Sequence, residues 1–302
     1  MTVTEWAGPA RFLPPPEPVV AGDGSRRYDA VTYAAVPGYR PLQLDVRVPA
    51  GPEAPPLVVW VHGGGWLFGD RRVLPETLRP DQLFEELVAA GLAVASVDYR
   101  FSLEAPFPAQ LHDLKAAIRY LRAFAAELGV DASRIGIWGE SAGGHLATLV
   151  GLTGGRSDLE GDLGVVGPSS AVDVVVDWYG PADIGEMLGL DRAALMPPGL
   201  PPVLTTSPEG LLVRGLEGAA LADASPVTHV TPWAPPFLVQ HGTADWVVPF
   251  DQSELLAARL REAGVPVELE AVDGAGHIFD GHDDVDGVVR RSVAFLVHHL
   301  AS

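Results

Sequence analysis

The fold follows from residues 134–150, which read RIGIWGESAGGHLATLV. A short apolar run typical of a strand comes first, a helical pattern comes last, and the pentapeptide GESAG at 139–143 joins them. This G-x-S-x-G pattern places Ser141 on a sharp strand-to-helix turn, where flanking glycines let strand and helix approach closely. A helix N-terminus behind the serine favours the negative charge that develops in acyl transfer. The pattern therefore predicts a nucleophile; the alternative is an ordinary glycine-rich turn.

Strands and helices alternate along the rest of the chain. Residues 40–49 alternate apolar and polar side chains, which predicts a half-buried strand. The continuous apolar run at 57–61 predicts a strand buried on both faces, and 92–98 predicts another. Further strands are predicted at 172–178, 237–241 and 265–272. Helical patterns occur at 81–90, 109–128, 252–263 and 287–300. The order predicts a single α/β domain over residues 1–302, with a mostly parallel central sheet and helices on both faces.

Two segments fall outside this alternation. Residues 1–30 begin with a proline-rich, polar stretch, which we interpret as an N-terminal arm. Residues 185–225 contain MPPGLPPVLTTSPEG with short helical pieces and no strand. A loop of this length in a compact domain is usually functional or disordered. We therefore predict a small lid insertion at 185–225, over the edge of the sheet where ligands bind in open α/β folds.

A second glycine-rich motif, HGGGW at residues 62–66, follows the predicted strand at 57–61. Successive glycines expose backbone N–H groups that can surround a developing oxyanion, together with the N–H after the nucleophile. We predict Gly64, Gly65 and Ala142 as these donors. The alternative is a phosphate-binding loop, but neither a following Lys-Ser/Thr nor a G-x-G-x-x-G pattern is present.

The acid and the base are predicted from two later loops. HGTADWVVP at 241–249 follows a buried strand and places Asp245 in a loop, while GAGHIF at 274–279 does the same for His277. The chain order Ser141, Asp245, His277 is that of α/β-hydrolases and differs from the chymotrypsin and subtilisin orders. His277 would take the serine proton, and Asp245 would orient its ring.

Composition excludes several classes of function. The chain has 20 Lys and Arg against 39 Asp and Glu, a formal charge of −19, which disfavours nucleic acid and anionic membranes as partners. It has 0 cysteines, so disulfides, thiolate catalysis and cysteine–metal sites are excluded. No membrane-spanning run and no secretory signal are apparent, so a cytoplasmic location is expected. The acidic stretch after His277 lacks EF-hand spacing, so we expect no metal and no cofactor.

Four side chains beside the motifs are candidates for substrate contact, with core packing or structural support as the alternative. They are Trp66, Glu140, Trp246 and Phe279. The predicted partner is a small-molecule ester. The sequence is also compatible with a homodimer.

Together these motifs resemble the esterases of the hormone-sensitive-lipase and bifunctional feruloyl/acetyl-xylan esterase group. The resemblance extends over most of residues 40–300 and is strongest at the loop glycines, Ser141, Asp245 and His277. It implies an α/β-hydrolase fold and cofactor-free hydrolysis of short-acyl or aryl esters. Two alternatives are an arylformamidase, which cleaves N-formylkynurenine on the same fold, and a non-catalytic ligand-binding homologue.

Overall fold

A computed structural model describes residues 11–195 and 207–301 of this chain. These residues contain one sheet, whose strands and bounds follow. They are β1 Val19–Val20, β2 Arg26–Ala34, β3 Leu42–Val48, β4 Pro56–Val61, β5 Ala93–Val97, β6 Asp131–Glu140, β7 Val174–Trp178, β8 Phe237–Gly242 and β9 Val267–Val272. The strand order across the sheet is β1-β2-β3-β5-β4-β6-β7-β8-β9. Strands β1, β2 and β3 pair antiparallel in that order, and β3 also pairs antiparallel with β5. The six strands β4 to β9 pair parallel with one another.

Helices connect the parallel strands. Their bounds are α1 Gln82–Ala89, α2 Ala109–Ala123, α3 Ala125–Leu128, α4 Ala142–Leu152, α5 Ile184–Leu188, α6 Arg192–Leu195, α7 Pro208–Leu212, α8 Gly218–Ala222, α9 Asp251–Glu262 and α10 Val285–Leu300. Short 3-10 turns lie at Ser157–Leu159, Pro226–His229 and His277–Phe279. The predicted helix at 109–128 is therefore interrupted at Phe124, between α2 and α3.

Two hydrophobic clusters cover the two faces of the sheet. Successive residues of a strand point to opposite faces, so in β4 the side chain of Val59 joins one cluster and that of Trp60 joins the other. Leu114 of α2 packs in the first cluster and Leu296 of α10 packs in the second. Burial on both faces explains why β4, β5 and β7 are continuous or nearly continuous apolar runs, whereas the edge strand β9 is only partly buried and contains two glutamates. The arrangement confirms the predicted α/β fold.

The N-terminal prediction needs a correction, because residues 19–34 contribute strands to the sheet. Strand β2 pairs with β3, and Val31 and Tyr33 are fully buried against the core. The register of β2 shifts between Tyr28 and Val31, which breaks the alternation that would identify a strand in the sequence. Of the predicted arm at 1–30, only residues 11–18 and 21–25 lie outside strands, and residues 1–10 lie outside the described residues.

The predicted lid at 185–225 is described only in part, because residues 196–206 lie outside the described residues. On either side of that gap are the short helices α5 to α8. Within the described part of the chain, no helix is both long and apolar enough to cross a lipid bilayer.

Candidate active site

Ser141 occupies a strained turn between β6 and α4. Its backbone angles are φ 54° and ψ −121°, a region that L-amino acids rarely adopt. A Cβ on Gly139 would collide with the carbonyl of Gly143, and a Cβ on Gly143 would collide with the carbonyl of Val61. The two glycines of the G-x-S-x-G pattern are thus required by close backbone approach. The N-terminus of α4 stands directly behind the serine.

The structure brings the three predicted catalytic side chains together. Nε2 of His277 lies 3.1 Å from Oγ of Ser141, and Nδ1 of His277 lies 2.7 Å from Oδ2 of Asp245. A carboxylate can only accept, so Nδ1 carries the proton and Nε2 presents its lone pair to the serine hydroxyl. This tautomer can accept a proton from Ser141 without any rearrangement.

Asp245 is held in its ionised form by four hydrogen-bond donors. Its Oδ1 accepts from the backbone N–H groups of Val247 at 2.8 Å and Val248 at 3.0 Å. Its Oδ2 faces Nδ1 of His277 and, at 3.2 Å, Nε2 of His241. Burial raises the pKa of Asp245, but hydrogen bonds from His241 and then His277 outweigh burial and hold that pKa well below its usual range.

The backbone of the HGGGW loop turns towards Ser141. Gly64 and Gly65 adopt φ of 102° and 58°, which favour glycine. Oε1 of Glu140 accepts from the N–H of Gly63 at 2.7 Å. Within the described part of the chain, the N–H groups of Gly64, Gly65 and Ala142 have no acceptor. These are the three groups that the sequence predicts as oxyanion donors, and the neighbouring Gly63 N–H is already engaged.

Glu140 is buried between the glycine loop and the histidine. Burial raises its pKa, and the nearby His277, the N–H of Gly63 and the Tyr179 hydroxyl partly oppose that rise. Because its carboxylate anchors Gly63, Glu140 links the nucleophile turn to the loop that carries the predicted oxyanion donors.

A cavity of about 420 Å³ opens onto Ser141. Its wall is largely apolar and comes from the glycine loop and the segment after it, the nucleophile turn, α7, and the loops that carry Asp245 and His277. Phe68 and Val73 line it and are strongly exposed, which places them at the rim. Such a mostly apolar cleft with a few polar groups is typical of small-molecule sites.

The four predicted substrate contacts divide into two pairs. Trp66 and Glu140 line the cavity, although Trp66 is mostly buried and packs edge-on against His145. Trp246 and Phe279 are not among the described residues that line it. Phe279 is 1% exposed and packs edge-on against Trp178, so it belongs to the core.

Two further residues contact the catalytic side chains without having been predicted. Tyr179 follows β7 and meets the His277 ring edge-on, at 4.9 Å between ring centroids. His241, in β8, contacts Asp245. The position of His241 at the carboxyl end of a parallel strand, four residues before Asp245, is a signal that the sequence does contain.

In residues 11–195 and 207–301, no group of three or more His, Asp or Glu side chains is arranged to hold a metal ion. The predicted acidic loop after His277 leads into α10, where Asp284 caps the helix by accepting from the N–H of Gly287.

The model of the BD-FAE family matches residues 44–260 of the chain. The chain belongs to the BD-FAE family. This match spans β4 with the glycine loop, the nucleophile turn and Asp245, and it ends within α9 before His277.

Individual relatives of this BD-FAE member are esterases. "Esterase LipC" of Mycobacterium tuberculosis is 33% identical over 98% of this chain and 70% of its own length. A "carbohydrate esterase from gut microbiota" has a solved structure with a TM-score of 0.76 at 29% identity, covering 96% of this chain and 100% of that one. Esterase 2 of the planctomycete Thermogutta terrifontis has a TM-score of 0.68 at 30% identity, covering 89% of this chain and 91% of that one. The Thermogutta esterase has also been solved "phosphorylated by paraoxon".

The relatives and the geometry agree on the class of reaction. The protein is a carboxylic ester hydrolase with an α/β-hydrolase fold.

Proposed function

We propose that this BD-FAE member is a serine carboxylesterase that hydrolyses short-acyl or aryl esters through an acyl-enzyme. Ser141 is the nucleophile, His277 the general base and Asp245 the orienting acid. The observation that carries the proposal is the continuous hydrogen-bonded path from Oγ of Ser141 through His277 to Oδ2 of Asp245. In this proposal the chain forms a single domain, and the site is a cleft within it. The short helices on either side of residues 196–206 would act as the lid of that cleft.

The reaction has two balanced steps. Oγ of Ser141 attacks the ester carbonyl while its proton passes to Nε2 of His277, and the N–H groups of Gly64, Gly65 and Ala142 hold the oxyanion. His277 then returns the proton to the leaving alcohol, so that the acyl group stays on Ser141. Water then attacks the acyl carbonyl while Nε2 of His277 takes one of its protons. The bond between the acyl carbon and Oγ of Ser141 breaks, His277 returns the proton to Oγ, and the carboxylic acid leaves the regenerated enzyme.

Paraoxon tests this proposal directly. We expect it to inactivate the enzyme with one diethylphosphoryl group per chain, located by mass spectrometry on the peptide that contains Ser141. The serine oxygen that attacks an ester carbonyl can also attack the phosphorus of paraoxon and displace 4-nitrophenol. Phosphorylation by paraoxon therefore reports an activated serine. The release of nitrophenol should equal the number of chains. Labelling at another residue, or full activity after stoichiometric labelling, would remove Ser141 from its role.

The cavity favours neutral or cationic esters over anionic ones. Four carboxylates line it, whereas none of the described lining residues is Lys or Arg. They are Glu76, Glu140, Glu209 and Asp70, the last of which pairs with Arg72. Residues 196–206 also contain neither Lys nor Arg. We expect kcat/KM for 4-nitrophenyl butyrate to be about tenfold higher than kcat/KM for the similarly sized but anionic 4-nitrophenyl succinate.

Added salt and one surface carboxylate check this electrostatic origin. Raising the salt concentration should bring the ratio of the two kcat/KM values closer to one, because salt screens the repulsion between the cavity's carboxylates and the anionic ester. Glu76→Gln, at the exposed rim, should narrow it as well, whereas Glu85→Gln, which lies outside the cavity, should leave it unchanged. A ratio near one for the unmodified enzyme contradicts the prediction.

The same charges bear on the arylformamidase alternative. N-formylkynurenine is a zwitterion: the described lining residues offer no Lys or Arg to its carboxylate, but their carboxylates suit its ammonium group. The preference for ester hydrolysis over formamide hydrolysis is therefore supported by the relatives, which are named esterases. The non-catalytic alternative is disfavoured because the Ser141–His277–Asp245 contacts are intact. A cytoplasmic location and a homodimer stay predictions from the sequence.

A further inference from the structure

His241 neither gives nor takes a proton in the proposed reaction, yet its ring is fully buried beside Asp245. Its Nε2 lies 2.9 Å from the carbonyl oxygen of Val248 and 3.2 Å from Oδ2 of Asp245. Its Nδ1 lies 2.7 Å from Oγ of Ser253 in α9. A fully buried ring with both nitrogens engaged has a single orientation.

The partners of His241 determine which nitrogen carries its proton. A carbonyl oxygen can only accept, so Nε2 must be the donor to Val248. Nε2–H is then shared between that carbonyl and Oδ2 of Asp245. In the neutral ring Nδ1 is free to accept from the hydroxyl of Ser253. Every polar atom of the ring is satisfied in this tautomer without a formal charge.

The contact with Asp245 has a direct consequence for His277. Oδ2 of Asp245 faces both rings, so the carboxylate cannot rotate towards or away from His277 without stretching its bond to His241. The second bond of His241, to Val248, also fixes the loop whose backbone N–H groups hold Oδ1. Both oxygens of the catalytic acid therefore depend on the position of His241.

We propose that His241 is a positioning residue, whose Nε2–H holds the Asp245 carboxylate against His277 while Ser253 fixes its tautomer. The reacting unit then extends from Ser141 through His277 and Asp245 to His241 and Ser253. This inference rests on the proposed function, because it assigns His241 to the same reaction. His241 touches neither the nucleophile nor the cavity and acts only through Asp245.

Two amides of different reach test the proposal. The side-chain amide of His241→Gln can place an N–H where Nε2 stands, whereas that of His241→Asn reaches only the position of Nδ1. We expect the Asn variant to lose roughly 10- to 100-fold in kcat, with KM within about twofold, since it loses a hydrogen bond to a charged group. The Gln variant should stay within about fivefold of the unmodified enzyme.

The pH profile separates positioning from general destabilisation. Without the His241 N–H, more of the negative charge on Asp245 faces His277 and stabilises its imidazolium form. The acidic limb of kcat/KM should therefore move up by roughly 0.5 to 1 pH unit in His241→Asn and stay in place in His241→Gln. The other titratable groups around these rings are Asp177, Tyr179 and Glu140, which are the same in both variants.

Titration with paraoxon counts the active sites of each variant, so that kcat is expressed per active site and inactive protein does not lower it. An Asn variant with unchanged kcat and pH limb overturns the positioning role, and so does a Gln variant that falls as far as the Asn variant. If the Asn variant does not fold, His241→Leu replaces it, since leucine also lacks the N–H at similar volume. If Ser141 is not labelled at all, the proposed function itself fails; if it is labelled while Asn is without effect, only the role of His241 fails.

Discussion

Ser141→Ala is expected to lower kcat for 4-nitrophenyl butyrate by at least about 10⁴-fold, the largest effect of any single change considered. Oγ of Ser141 lies 3.1 Å from Nε2 of His277, in the cavity that Gly64, Gly65 and Ala142 also line. Alanine leaves the turn in place, because Cβ is retained and the close contacts of Gly139 and Gly143 are unchanged. The loss should therefore appear in kcat, with the melting temperature within about 2 °C of the unmodified enzyme.

The matched control is Ser157→Ala, at an exposed serine outside the cavity, which should keep full activity. Residual hydrolysis by Ser141→Ala must also resist paraoxon, since contaminating serine hydrolases would be inhibited. Activity of Ser141→Ala within a factor of ten of the unmodified enzyme would exclude the serine mechanism, whatever the family of the chain.

The contact of Ser141, His277 and Asp245 was predictable because backbone geometry imposes residue types that a sequence displays. Gly139 and Gly143 stand where no Cβ fits, so the turn around Ser141 is written as a glycine pattern. Asp245 and His277 follow the strands β8 and β9, and parallel strands bring their carboxyl ends to one edge of the sheet. His277 can thus be expected to contact both Ser141, 136 positions away in the sequence, and Asp245, 32 positions away.

Side-chain direction within a loop was not predictable in this way. Trp246 and Phe279 lie within two residues of Asp245 and His277 in the sequence, and Trp66 directly follows the glycine loop. Trp66 nevertheless lines the cavity, whereas Phe279 packs in the core against Trp178. Ile278 and Phe279 have nearly the same φ, 58° and 59°, yet Ile278 lines the cavity and Phe279 does not. The direction therefore depends on the surrounding packing, which the letters HIF do not specify. Strand β2 was missed for a related reason, since its bulge after Tyr28 disrupts the period of two.

His241 illustrates a different limit. Histidine at a strand end is compatible with solvent, core or catalysis, and only coordinates show that its ring lies against Oδ2 of Asp245. The surrounding pattern, HG followed by Asp245, marks a loop at the functional edge but not a hydrogen bond. Specific polar contacts depend on ångström-scale positions that hydrophobic periodicity does not encode.

Asp245→Asn is expected to lower kcat by roughly 10³- to 10⁴-fold at neutral pH while leaving the fold intact. Oδ1 faces two backbone N–H groups, of Val247 and Val248, which can only donate. The amide oxygen of asparagine must therefore take that position, and its NH₂ group points at Nδ1 of His277. His277 then has to accept at Nδ1, so its proton moves to Nε2, where it faces Ser141 and blocks deprotonation of the hydroxyl.

Asp162→Asn is the matched control, because the substitution removes the same charge from a side chain that is 99% exposed.

The free energies of unfolding of the two variants should also depend differently on pH. The pKa of Asp245 is lowered in the folded state, so its ionisation stabilises the fold above the unfolded pKa of about 3.9, and that contribution is lost as pH falls through the lower folded value. Asp245→Asn should therefore be destabilised at pH 7 and approach the unmodified enzyme in strong acid, whereas Asp162→Asn should track it throughout. Denaturant titrations at pH 7 and near pH 3 measure this difference, and an asparagine variant with unchanged kcat would show that the carboxylate does not set the tautomer of His277.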